Sequence, residues 1–182
     1  MNRAVKFELK NGKTVTIRRI RGTDVDAMIN FFDKFVRDPS TKYTSQYPGQ
    51  PKKNRESSVA LYDDPNNLFL GAWYDDEIIG EASIVKVTPQ NQKFRGLTGV
   101  TGNIIFDEFT SKGLGRKLNV MIEKWARKNS VHRLEAEVFH KNIRSLNNFM
   151  KLGYEIVGIK HDVAIVDEEW MHIYILEKIL AG

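Results

Sequence analysis

Ile104-Ile105-Phe106-Asp107-Glu108-Phe109-Thr110-Ser111-Lys112-Gly113-Leu114-Gly115-Arg116-Lys117-Leu118 is the stretch on which the reading of this chain turns. Its first three residues end a run from Gly99 to Phe106 that reads as a strand. Its last five open a run in which Leu114, Leu118, Met121, Ile122 and Trp125 recur at i, i+4, i+7, i+8 and i+11, one apolar stripe of a helix. Two glycines stand at the junction. Glycine lets a bulky anion approach where a Cβ would collide. The helix N-terminus adds converging N–H groups and about half a positive charge. Lys112, Arg116 and Lys117 bring mobile charge to the same place. The physical expectation is a diphosphate site. The glycine pair alone is also compatible with a plain helix start. A Walker A loop would need Gly-Lys-Ser/Thr, where this chain has Gly115-Arg116-Lys117. A dinucleotide fingerprint would need a small residue where Leu118 stands, near the first βα turn.

Outward from this turn the chain alternates strands and helices. Upstream, Val5–Leu9 and Thr14–Ile20 alternate apolar and polar residues around Asn11-Gly12, a hairpin signal. Thr23-Asp24-Val25-Asp26 offers a helix start, and Met28, Ile29, Phe32, Phe35 and Val36 follow at helical spacing. Residues 37–56 read as a long loop running into a second helix near 53–62. Leu68–Tyr74 and Glu77–Val87 read as strands joined by Asp75-Asp76. Residues 88–96 form a polar loop. Downstream come a strand at Leu134–Phe139, a helix at Ile143–Leu152 with Asn142 as N-cap and Gly153 as stop, and strands at Ile156–Val166 and Trp170–Lys178. This order predicts an α/β fold, a mixed and mostly antiparallel sheet with helices on both faces. No repeat or composition break divides the chain, so residues 1–182 are expected to form a single domain.

Composition narrows the function. The 182 residues are 41% hydrophobic and 28% charged, as in a globular protein rather than a disordered one. Cysteine is absent, which excludes a disulfide scaffold, thiolate zinc sites and cysteine nucleophiles. No apolar run approaches the ~20 residues of a membrane span, and no apolar signal core follows Met1. The expectation is a cytoplasmic protein with no membrane partner. The net charge of +5 is local, because residues 1–22 hold seven Lys/Arg against one Glu. A nucleic-acid binder spreads basic groups over a face, so no nucleic-acid partner is expected. A retardation assay would expose one. The histidines at 132, 140, 161 and 172 have no metal-like spacing, so no metal is expected. No G-x-S-x-G elbow is present.

About 25 residues beyond the glycine turn lies a second constellation, Asn142-Ile143-Arg144-Ser145 through Phe149-Met150-Lys151-Leu152-Gly153-Tyr154. Ile105–Leu118 resembles motif A of the GNAT superfamily of N-acetyltransferases, and Asn142–Tyr154 resembles its motif B. The order of elements resembles the family over nearly the whole chain. The resemblance implies a sheet split between the family's fourth and fifth strands, here 99–106 and 134–139, with acetyl-CoA in the split. It implies that pantetheine pairs with backbone at Asn103, Ile104 and Ile105. It implies that the pyrophosphate sits on amides of Ser111, Lys112, Gly113, Leu114, Gly115 and Arg116, and that Asn142 touches the pantetheine side. An amine acceptor, a small molecule or a peptide N-terminus, would attack the thioester directly. A homodimer is left open.

The chain departs from the pattern twice. Thr110 replaces the usual Gln or Arg of motif A. Phe149 replaces the tyrosine that often protonates the leaving thiolate, and a phenyl ring donates no proton. For the base an amine nucleophile needs, Glu137 is the best match, five residues before Asn142, with a solvated strand carboxylate as the alternative. Asp107 and Glu108 are further candidates acting through water. Glu81 is read chiefly as a solvated strand carboxylate, contact with a cationic acceptor being the other reading. The 37–56 loop, with Tyr43 and Tyr47, and the 88–96 loop are the expected acceptor walls. The rival to an enzyme is a CoA-binding module that regulates or assembles, which Phe149 favours.

Overall fold

The computed structural model describes residues 3–41, 43–44, 54–87 and 98–180. Eight strands form one sheet: β1 (Val5–Glu8), β2 (Thr14–Arg19), β3 (Asn67–Tyr74), β4 (Glu77–Lys86), β5 (Thr98–Ile105), β6 (Arg133–Phe139), β7 (Glu155–Val166) and β8 (Glu169–Ile179). Among the described residues four α-helices accompany them: α1 (Val25–Phe35), α2 (Arg55–Asp63), α3 (Leu114–Lys128) and α4 (Ile143–Lys151). The sheet order is β1-β2-β3-β4-β5-β6-β8-β7. Every neighbouring pair is antiparallel except β5 and β6. The mixed, mostly antiparallel sheet expected from the sequence is the one observed.

Local chemistry explains the meander. Gly12 takes φ 82° in the first hairpin turn, and Asp75 and Asp76 take φ 48° and 63° in the turn between β3 and β4. Aspartate tolerates this left-handed region better than β-branched residues do. Alternation along β3 then separates two cores. Leu68, Leu70 and Ala72 join Leu114, Leu118, Ile122 and Ala126 of α3 on one face. Phe69 faces the other way and meets Met28, Phe31, Phe35 and Tyr62 of α1 and α2. The stripe that predicted α3 is therefore its buried face.

The basic N-terminal hairpin is tied into the fold. Arg18 grips Asp24 with two bonds of 2.8 Å and lies 4.0 Å over the Trp73 ring. Arg19 donates to the carbonyls of Asp64 and Asn67, and Lys13 pairs with Glu108 at 2.8 Å. Asp24 precedes α1 as expected but makes no side-chain cap. Its carboxylate instead accepts from Arg18 and from the Arg21 N–H at 2.9 Å.

One irregularity of the sheet makes the site. Among the described residues the parallel pairing of β5 and β6 covers Thr98–Arg133, Gly99–Leu134 and Val100–Glu135. Beyond it β5 continues against β4, from Thr101–Ile84 to Ile105–Gly80, while β6 continues against β8. The two strands thus part in mid-sheet, where the sequence reading placed the split.

Candidate active site

A cavity of about 780 Å³ lies in and beside this split. Asn103 and Ile104 reach it from β5, Glu137 and Val138 from β6, and Asn142, Ser145 and Phe149 from α4 and the residue before it. On the other side α1 contributes Met28, Ile29 and Phe32, and the sheet contributes Phe69, Glu81 and Val85. Tyr43 of the expected acceptor loop lines it too. Tyr47 and the 88–96 loop lie outside the described residues.

The expected pyrophosphate turn stands apart from this cavity, past the end of β5. Gly113 is the N-cap of α3 at φ 91° and has no side chain with which to cap the helix. The first amides of α3 have no acceptor within the helix. Ser111 also has positive φ, 58°. A Cβ on Gly115 would lie 3.4 Å from Ile105 Cδ1 and 3.6 Å from Asn148 Nδ2, so the turn faces the junction of β5 and α4. The expected mobile charges are partly engaged. Lys112 Nζ donates to the Glu108 carbonyl at 2.5 Å, and Lys117 Nζ lies 5.4 Å over the Phe7 ring. The backbone of the turn, more than its lysines, is what remains free to meet an anion.

Sequence reasoning passed over Arg144. From α4 its Nη1 donates to Asp107 Oδ1 at 2.5 Å and to Thr110 Oγ1 at 2.7 Å. A guanidinium therefore stands beside the motif position where Thr110 replaces the usual long polar side chain. Asp107, offered as an acid–base candidate, is held below the usual carboxylate range chiefly by its bond to Arg144, which makes it a poor base. Glu108 is engaged with Lys13.

Asn142 does two jobs in the structure. Its Oδ1 accepts from the Ser145 N–H at 3.1 Å, capping α4, and its Nδ2 donates to the Tyr43 carbonyl at 3.1 Å. The second bond straps the loop after α1 across to α4. Glu137 lines the cavity and is ion-paired with Lys160 of β7. Glu135, on the same face of β6, pairs with Arg133 at 3.0 Å. Phe149 is 2% exposed and packs edge-on to Tyr154, with ring centroids 4.9 Å apart.

Glu81 departs from its expected place. It is 6% exposed rather than a solvated strand carboxylate. It stands opposite Ile104 across β4 and β5, so both side chains point to the α1–α2 face. Beside it, burial and the charge of Glu81 push the Tyr62 hydroxyl up to about 12. Alternation groups Glu81 with Ile79, Ser83 and Val85; Ser83 and Val85 do line the same cavity, but a register shift turns Ile79 into the α3-side core, and which face was covered depended on helices packed from elsewhere in the chain.

His140, His161 and His172 also come together, with ring centroids 4.9 Å and 5.2 Å apart, although their spacing gave no sign of it. Among the described residues no group of three or more His, Asp or Glu is arranged to hold a metal ion. Among them, too, no helix is long and apolar enough to cross a membrane.

With this geometry in hand, comparison with known proteins is direct. No curated relative matches the sequence. Solved structures share the fold. An acetyltransferase of the GNAT family from Streptococcus pneumoniae superposes with TM-score 0.77 at 20% identity, covering 91% of this chain and 99% of that one. yncA, a putative acetyltransferase from Salmonella typhimurium solved with its cofactor acetyl-CoA, gives 0.75 at 20% identity, covering 92% and 95%. Ribosomal-protein-alanine N-acetyltransferase from Brucella melitensis gives 0.74 at 21% identity, covering 90% and 99%. The sequence pattern of the acetyltransferase (GNAT) domain runs from residue 17 to residue 175, spanning the split, the glycine turn and α4, and the chain belongs to the GNAT acetyltransferase family.

Proposed function

We propose that this chain moves an acetyl group from acetyl-CoA to a primary amine, both bound at once in the cavity beside the split. The observation that carries the reading is the parting of β5 and β6 after Val100 and Glu135. It leaves the β5 backbone from Thr101 to Ile105 without a β6 neighbour, suited to an extended pantetheine arm along Asn103, Ile104 and Ile105. The uncapped amides at Gly113–Arg116, the left-handed backbone at Ser111 and Gly113, and nearby Arg144 suit the pyrophosphate.

In this reading the amine nitrogen attacks the thioester carbonyl, the new C–N bond forms and the C–S bond breaks. Glu137 takes the amine proton. Its pairing with Lys160 orients the carboxylate at the cavity wall. The leaving group departs as a thiolate and takes its proton from water, since Phe149 has none to give. Acetyl-CoA chemistry and the absence of cysteine both suit the cytoplasm.

The second reading, a CoA-binding module without turnover, is favoured by one feature, the phenyl ring of Phe149. Thiol release from acetyl-CoA across a panel of amines and peptides separates the two. Amine-dependent release is expected. Binding of acetyl-CoA with no release above the water background for any acceptor would establish the module instead.

A further inference from the structure

We infer that Asn119 of α3 is a binding residue for acetyl-CoA, its buried side-chain amide donating a hydrogen bond to an amide carbonyl of the pantetheine arm. The inference rests on the acetyl-CoA reading of the split and names a side chain that recognises the arm, beyond the backbone of β5 and of the glycine turn.

A buried asparagine in the middle of a helix needs a reason. Leu118 and Ile122, its neighbours on α3, are buried in the core. Asn119 itself is only 5% exposed. One half of its amide is satisfied, because Asn103 Nδ2 donates to Asn119 Oδ1 at 3.0 Å. The other half is not. Among the described residues Asn119 Nδ2 is buried and meets no acceptor. Such a donor is costly to leave unpaired, and native proteins keep few of them. A residue kept only to fill this space would do so better as leucine, which has the same branching and no polar atom to satisfy.

The place of the amide says what it can meet. Gly115, Asn119 and Glu123 follow at i, i+4 and i+8, one stripe of α3. The two ends of the stripe touch opposite banks of the split. At Gly115 a Cβ would lie 3.4 Å from Ile105 of β5. Glu123 accepts from Lys178 of β8 at 2.7 Å, and Lys178 stands opposite Leu134 of β6. α3 therefore crosses beneath the split, and Asn119 sits between the banks. Asn103, to which it is bonded, lines the cavity. That bond turns Oδ1 toward β5 and leaves Nδ2 turned away from Asn103. From Gly115 to Asn119 is about 6 Å along the helix, and glycine puts no Cβ over the start of that path. An arm that leaves a pyrophosphate at the turn and follows β5 past Ile105 and Asn103 passes this amide. Pantetheine suits it, because secondary amides recur along the arm and each carries a carbonyl. A plain alkyl chain carries none.

Two ligands separate the arm from the nucleotide end: acetyl-CoA, which has the arm, and adenosine 3′,5′-bisphosphate, which lacks it. Binding of each to the full chain is measured by calorimetry. Asn119→Leu should weaken acetyl-CoA by about 10-fold or more, the loss of a hydrogen bond that leaves a desolvated carbonyl unpaired. Adenosine 3′,5′-bisphosphate should bind within about two-fold of the parent. KM for acetyl-CoA should rise alongside, with the acceptor's KM unchanged. Asn119→Ala, which adds no bulk, should repeat the pattern and decides the matter if the leucine variant does not fold. Acetyl-CoA bound by a folded variant within about two-fold of the parent would overturn the inference and leave acetyl transfer standing. So would equal weakening of both ligands, the result of an asparagine that only supports the N-terminus of α3. A parent that binds neither ligand would remove the acetyl-CoA reading, and the inference with it.

Discussion

Val100 and Glu135 are the last residues of β5 and β6 that stand opposite each other. One residue further on, Thr101 still pairs with Ile84 of β4, and Ala136 pairs with Leu176 of β8, but not with each other. The site is made by this withdrawal of hydrogen bonds in the middle of a sheet. Gly99, one pair earlier, shows how tightly the closed end is packed. A Cβ there would lie 2.5 Å from Ile84 Cδ1 of the neighbouring β4.

The glycine turn is tested at Gly115 rather than at Gly113. Gly113 has φ 91°, so any side chain there strains the backbone as well as the site. At Gly115 a Cβ meets only ordinary contacts. Gly115→Glu should therefore fold and place a negative charge at the amides of α3. Acetyl-CoA at 100 times its Kd stabilises a protein by about 2.7 kcal/mol. For a chain of this length that is a rise of about 5–10 °C in Tm. The rise should appear in the parent and vanish in the variant, by thermal denaturation with and without acetyl-CoA. An undiminished rise would move the anion site elsewhere.

Glu137→Gln should lower kcat by about 10²-fold or more at neutral pH, the lower range for a positioned base. Acetyl-CoA binding should be unchanged. Activity within about two-fold of the parent would leave Glu137 as a strand carboxylate paired with Lys160 and direct the search for the base to Glu81.

Asp24 links stability to pH. Its carboxyl is held below the usual range, first by the bonds from Arg18 and then by the N–H of Arg21, against the opposing effect of burial. A lowered folded value means that the stabilisation is full above the unfolded value of about 3.9 and is lost as pH falls through the lower folded value. Asp24→Asn should cost about 1–2 kcal/mol at pH 7. Chemical denaturation of parent and variant should show that difference shrinking below about pH 4. A gap that persists undiminished in acid would mean that shape, not charge, holds Arg18.

Phe149→Tyr adds one hydroxyl at the cavity wall. The departing thiol has an ordinary value near ~8.5 by analogy with cysteine, so the thiolate leaves without much help at neutral pH. The variant should fold and turn over at least as fast as the parent, with a new alkaline limb in the kcat–pH profile as the tyrosine ionises. Several-fold slower turnover with acetyl-CoA binding intact would identify the ring as core, packed on Tyr154.

Sequence alone determined the elements, their order and the strand-turn-helix centre, because period and turn chemistry are local. The α3 stripe, Asp75-Asp76 and Gly113 each specify their structure within a few residues. Recognition of the family followed from two local motifs. Only the tertiary structure decided which side chains share the cavity and which charges are already engaged. Arg144 reaches Thr110 from a separate helix, Lys160 reaches Glu137 from the edge strand β7, and His161 meets His172 across the last hairpin. Glu81 changed most. Alternation along β4 places it on a face, but α1 and α2, packed on it from earlier in the chain, make that face the interior. Burial is set by what packs on a residue from elsewhere in the chain, and the free energy of a charge depends on burial. The pattern of a strand therefore fixes where a carboxylate points, and the assembled protein fixes what that carboxylate can hold.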